Sequence, residues 1–248
     1  MSKYLNLDWN KSQMYEWSQT QQEGSEPAQN GNGFRKYYDK GVVGELQNVG
    51  VLEGKFGHQI SISVKDGNGD FLNLLFSLYD QKGNVDNQYA ESVIRFLPNL
   101  QKGQTYRFYP YRIDAETQKN QDQEAGKEVR NKYYDNTGIS IKTEDGEKVE
   151  AALQYTGKGK NVIPKLVWKE NAMGQNRPTA VSVEEKNEFL LTHLKNATEG
   201  HLKFEKSNTS EPKQNNSTPK KVPTATPQEA FGDTDKGIGG QDDSELPF

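Results

Sequence analysis

The chain has 248 residues, of which 31% are hydrophobic, and a net charge of −4; its mean hydropathy is −1.00. So little apolar material cannot place every residue in a packed core, and a folded body carrying polar segments is expected. The absence of cysteine excludes disulfides, a thiolate nucleophile and Cys-ligated zinc, and the absence of any run of 18 apolar residues excludes a helical membrane span.

The start, MSKYLNLDWNKS, has no apolar signal region, so a cytoplasmic protein is expected. Residues 1–33 read as a polar N-terminal extension. Leu5, Leu7 and Trp9 alternate there as in a short edge strand, and Trp9 and Trp17 are expected to cap a core rather than to stack on a ligand. From Phe34 the pattern is β. Residues 41–54 form a glycine-punctuated strand of the kind that bends or bulges at a barrel corner. In 58–65, Ile60, Ile62 and Val64 share one face and Ser61 and Ser63 the other. Asp66 to Asp70 is a hairpin loop, and 71–79 follows with Leu72, Leu74, Phe76 and Leu78 inward.

Residues 86–100 switch to a helical period, with Tyr89, Val93, Phe96, Leu97 and Leu100 on one stripe and Pro98 limiting the length. Strand character returns in 104–113, where Tyr106 and Phe108 oppose Arg107, Tyr109, Tyr111 and Ile113. Pro110 marks an edge or bulged strand. Residues 114–131 are polar and aperiodic and read as a mobile insertion. Strands at 137–143 and 148–156 flank an Asp-Gly turn, GKGKN (157–161) is a basic loop, and 163–170 is a last short strand. The capping box at Ser182 and Glu185 opens a helix running to about residue 205. Beyond it, Pro212, Pro219, Pro223 and Pro227 lie among Ser, Thr, Asn, Gln and Lys, the composition of a disordered linker over 206–240.

The order strand–strand–strand–helix–strand–strand over 34–205 is that of an all-β OB-fold, a five-stranded Greek-key barrel, with helices and extra strands or hairpins added. The chain then ends in QDDSELPF. Asp242, Asp243 and Glu245 precede Leu246, Pro247 and a terminal Phe248, so the peptide offers a ring to an apolar pocket and carboxylates to surrounding cations. This ending resembles the acidic tip of bacterial and phage single-stranded-DNA-binding proteins. The stretch TGISIKTEDGEKVEAAL (137–153) looks like phage-type versions, whereas the N-terminal strand pattern of the bacterial protein is missing. The resemblance implies a non-catalytic protein that binds and protects single-stranded DNA in replication, recombination and repair. It further implies that the tip recruits partner enzymes (a polymerase, helicase, primase or nuclease) and competes with DNA for the groove. A homo-oligomer is compatible with it, and no cofactor or metal is implied.

A sequence-blind binder of single strands needs rings for bases and cations for phosphates. Four places combine them: Arg35, Tyr37 and Tyr38; Arg107, Tyr109, Tyr111 and Arg112; Tyr133 and Tyr134, flanked by Lys132; and Lys158 and Lys160, near Tyr155 and Trp168. Positive charge is concentrated locally, with Lys102, Arg107 and Arg112 uninterrupted by acids in 101–113. Catalysis finds no support: His58, His193 and His201 have no metal-ligand spacing, and no phosphate loop or nucleophile elbow occurs. A different class remains open, a β-sandwich carbohydrate-binding or virion protein whose aromatics stack on sugars.

Overall fold

The computed structural model describes residues 2–54, 57–78, 85, 87–126, 133–171 and 174–203. The chain divides between Lys206 and Ser207. The 206–240 linker and the acidic tip, 241–248, lie outside the described residues.

Strands β1 (Ser2–Asp8), β2 (Gln13–Ser18), β3 (Ser25–Pro27) and β4 (Phe34–Tyr37) come from the first 37 residues. They are followed by β5 (Val42–Gly54), β6 (Gly57–Lys65) and β7 (Phe71–Ser77), then helix α1 (Gln88–Phe96) with a 3₁₀ turn at Leu97–Asn99. Next come β8 (Thr105–Ile113), helix α2 (Ala115–Glu124), β9 (Asn136–Thr143), the short pair β10 (Trp168–Glu170) and β11 (Asn176–Pro178), and helix α3 (Ala180–Glu199). Strands β1 to β9 make one sheet in the order β3-β4-β2-β1-β7-β6-β5-β8-β9. The protein is therefore mostly β, with a curled nine-stranded sheet and a few helices.

Long strand β5 produces the curl. Its first residues pair with β8 (Val42 opposite Phe108) and the rest with β6, with a register shift between Leu46 and Asn48 that turns the strand from one neighbour to the other. Gly44 sits at this bend, where a Cβ would come within 2.8 Å of the Lys65 carbonyl oxygen. The curl is deep enough for α1 to touch both β7 and β9, and for β2 to touch β8. Helix α1 is buried on nearly every side (Tyr89, Val93, Ile94 and Phe96 among others), so it fills the hollow of the sheet. The Asn87 side chain caps it, accepting from the Tyr89 and Ala90 amides at 2.8 and 3.3 Å. Leu5, Ile62, Leu74, Tyr106, Phe108 and Ile141 line the same core, and Leu190, Leu194 and Leu202 close its far side.

Several expectations require correction. The N-terminal residues are not an appendage with an edge strand, because β1 lies inside the sheet between antiparallel β2 and parallel β7. Of the two early tryptophans only Trp9 caps the core, edge-on to the buried Tyr89 ring at 5.1 Å; Trp17 is 47% exposed and donates through Nε1 to the Asn32 carbonyl at 3.0 Å instead. Strand β8 is interior along Thr105–Phe108 and loses its β5 neighbour beyond that point, so Pro110, which has no N–H, falls where only β9 remains to be paired. The segment read as an aperiodic insertion contains α2, started by Asp114 accepting from the Thr117 amide at 2.8 Å. Residues 127–131 of it, with Lys132 after them, lie outside the described residues. No strand forms at 148–156 beyond single bridges at Lys148 and Gln154, and of 163–170 only Trp168–Glu170 is strand. Helix α3 starts earlier than Ser182, with Thr179 as its cap, and it ends at Glu199.

Candidate nucleic-acid interface

The outward residues of β8 are Arg107, Tyr109 and Tyr111, because Tyr106 and Phe108 occupy the inward positions. On β9 they face Lys142, Ser140 and Gly138 respectively. Lys142 is in turn bridged to Lys148. Directly opposed residues of antiparallel strands project to the same side, so Arg107, Lys142 and Lys148 form a row of three cations across the sheet. Like charges directly opposite one another are unfavourable. Among the described residues, none of the three makes an ion pair or a side-chain hydrogen bond.

Beside this row lies a cleft of about 550 Å³, bordered by Tyr109, Tyr111, Arg95, Phe96, Lys148 and Glu150. Tyr111 lies across Gly138, where a Cβ would meet the phenol oxygen at 2.8 Å and Ser92 Oγ at 3.0 Å. Tyr109 stands 45% exposed. A second cleft of about 730 Å³ collects Tyr133, Tyr134, Tyr155 and Trp168, together with Glu91, Asp135 and Lys186. The two clefts share the polar stripe of α1. Arg95 lines the first, and its guanidinium carbon lies 4.0 Å from the ring centre of Tyr155, which lines the second. Arg95 Nε is held by donation to the Leu153 carbonyl at 3.0 Å. Burial, then the neighbouring Glu91 carboxylate, pushes the Tyr155 phenol above its ordinary range. A third cleft of about 400 Å³ lies against the β1–β2 turn and shares Tyr109 and Tyr111, so these two rings form a ridge.

The structure therefore brings together Arg107, Tyr109 and Tyr111 on one side of α1, and Tyr133, Tyr134 and Trp168 on the other. Arg112 is at the margin, donating through Nε to Asp135 at 2.9 Å. Lys158 and Lys160 are exposed on their loop and line neither cleft along α1. Arg35, Tyr37 and Tyr38 are placed elsewhere and are engaged. Arg35 Nη1 and the Tyr37 hydroxyl donate to Asp8 Oδ2 at 2.9 and 2.7 Å. Tyr38 reaches Glu16 at 3.5 Å, and burial followed by the Glu16 charge pushes its pKa up to about 12. Sequence reasoning missed Arg95, Lys142, Lys148 and Glu91. The lysines acquire their meaning only from register, and Glu91 and Arg95 lie one helical turn apart on a stretch read as core.

Among the described residues, no three His, Asp or Glu side chains group to hold a metal, and no helix is long and apolar enough to cross a membrane. No family model matches the chain, and neither a curated protein nor a solved structure matches it.

Proposed function

We propose that this chain binds and protects single-stranded DNA, largely without regard to sequence, during replication, recombination and repair, and that it is not an enzyme. The supporting observation is the unneutralised row Arg107–Lys142–Lys148 set against the ridge of Tyr109 and Tyr111. Three cations in register are costly until an anion arrives, and rings within the same cleft are what a base requires when its phosphate occupies that row. A neutral sugar would use the rings and leave the row uncompensated, which makes the carbohydrate reading the weaker one.

The connectivity agrees with an OB-fold. Strands β5, β6 and β7 form a meander, α1 follows, and β8 pairs back onto β5 with β9 on its outer side. In this reading the N-terminal strands widen the barrel, β1 taking the free side of β7 in parallel. The segment 114–135 then corresponds to the loop between the last two barrel strands, one of the loops by which OB-folds hold oligonucleotides. The acidic tip serves as the recruiting peptide for replication and repair enzymes, on its resemblance alone.

Titration of intrinsic tryptophan fluorescence with oligo-dT tests the proposal. Trp168 borders the second cleft, so quenching is expected, and the affinity should fall steeply as salt rises through counterion release. Quenching by oligosaccharides with none by oligo-dT would overturn it.

A further inference from the structure

The second cleft contains a group that the first lacks. Glu91 is 7% exposed, and its Oε2 accepts from Lys186 Nζ at 2.7 Å. Its other oxygen, Oε1, is buried without a hydrogen-bond partner among the described residues. A buried carboxylate oxygen left unsatisfied is expensive, and such atoms call for an explanation. Around it stand Tyr133, Tyr134, Tyr155 and Trp168, the last two 48% and 58% exposed. The two carboxylates of the lining are already paired, Glu91 with Lys186 and Asp135 with Arg112, so among the described residues no cation is left over there for a phosphate. Its chemistry is that of flat rings with a hydrogen-bond acceptor at the bottom.

We infer that this cleft is a base-binding subsite, in which a nucleobase stacks on Trp168 and Tyr134 and its exocyclic amino group donates to Glu91 Oε1. The inference rests on the proposed binding of single-stranded DNA and adds to it a compositional bias at one position along the strand. Cytosine presents a 4-amino donor and adenine a 6-amino donor, whereas thymine presents a carbonyl oxygen, which a carboxylate repels. Phosphates would run along the cation row beside the first cleft, and Arg95 with Tyr155 would mark the step between the two clefts. Tyr155 stands half-exposed beside Glu91, so an amino group reaching Oε1 would have to displace its phenol.

Fluorescence titrations of the full chain with (dC)12, (dT)12 and a 12-mer of the cytosine analogue lacking the 4-amino group test this. The analogue keeps the ring and removes only the donor. Wild type should bind (dC)12 roughly fivefold to tenfold more tightly than the other two. Glu91→Gln, verified as folded by its melting curve, should bring the three affinities close together. Equal binding of all three oligomers by wild type would overturn the inference and leave the DNA reading intact. No binding of any of them would overturn the DNA reading as well. A preference for (dC)12 that persists in folded E91Q would assign the amino group to another acceptor and overturn the inference. So would quenching by tetramethylammonium with none by (dC)12, since rings and acids also suit a quaternary amine.

Discussion

Two stretches of this chain use nearly the same vocabulary, FRKYY at 34–38 and YRFYPYR at 106–112, and the fold puts them to opposite uses. In the first, Arg35, Tyr37 and Tyr38 are each tied to a neighbouring carboxylate. Asp8 accepts from Arg35, Tyr37 and the amides of Asn10 and Lys11. Arg35 also lies over the Tyr15 ring at 4.6 Å, and Lys11 over Tyr37 at 4.0 Å while pairing with Glu26. Around the second stretch, Arg107 and Tyr109 are exposed, and Arg107 faces another cation. The difference lies in the neighbours. Strand β1 brings a buried carboxylate to the first stretch, and β9 brings Lys142 to the second. An Arg/Tyr alternation becomes structural cement or ligand surface according to the charge that the adjoining strand supplies.

The sharpest way to break the comparison is at Asp8. Asp8→Ala removes the acceptor shared by Arg35 and Tyr37 and leaves a guanidinium, only 22% exposed, without its counter-charge. Loss of one partner of such a pair is expected to cost about 3 kcal/mol, or roughly 6–12 °C in Tm for a body of this size. Differential scanning calorimetry measures this, and an unchanged Tm would mean that the cement is not where these contacts place it. Next in size, Tyr109→Ala combined with Trp168→Ala should weaken oligo-dT binding by about 2–6 kcal/mol, taking ~1–3 kcal/mol for each stacked base, with little change in Tm because both rings are substantially exposed.

Changing Arg107, Lys142 and Lys148 together to Ala should reduce the slope of log K against log salt by about 2, at ~0.7 per phosphate contact on single strands. The same variant should melt no lower than wild type, since the substitutions remove like-charge repulsion. A drop in Tm with an unchanged salt slope would reverse the roles assigned to the two regions. The smallest effect is at acid pH. Burial raises the Asp8 carboxyl, but the Tyr37 hydrogen bond, the Lys11 and Asn10 amides and the Arg35 charge outweigh it and hold its pKa below the ordinary value. Its contribution to stability is therefore complete above the unfolded-state carboxylate pKa of about 3.9 and is lost as pH falls through the lowered folded value. Acid unfolding curves of wild type and Asp8→Asn should accordingly differ at neutral pH and converge at the acid end.

Local periodicity was enough to locate most of what builds the core. Ile60, Ile62 and Val64, then Leu72, Leu74 and Phe76, alternate within their own strands, and Tyr89, Val93 and Phe96 repeat at helical spacing; all are buried in the structure. Alternation also set Arg107, Tyr109 and Tyr111 on one face of their strand. Segments without periodicity misled. Helix α2 buries only Asp122 and so lacks an apolar stripe, and its Asp114 cap was not picked out from the sequence. The residues at 148–156 carry strand-like composition, but their backbone meets α1 instead, through Ala152 and Leu153 donating to the Arg95 carbonyl at 2.9 and 3.2 Å.

What the sequence determined by itself, then, was which residues face inward, because that depends on neighbours two to four positions away. Tertiary structure alone decided which residues stand opposite one another. Only the pairing of β8 with β9, and of Lys142 with Lys148, lines up three cations. Only the insertion of β1 beside β2 brings Asp8 to Arg35, and only the turn of the chain after β9 brings Tyr155 and Trp168 to Tyr133 and Glu91. Charge compensation acts across space between strands far apart in the chain, and it is this that separates the surface left available for a ligand from the surface consumed in holding the sheet.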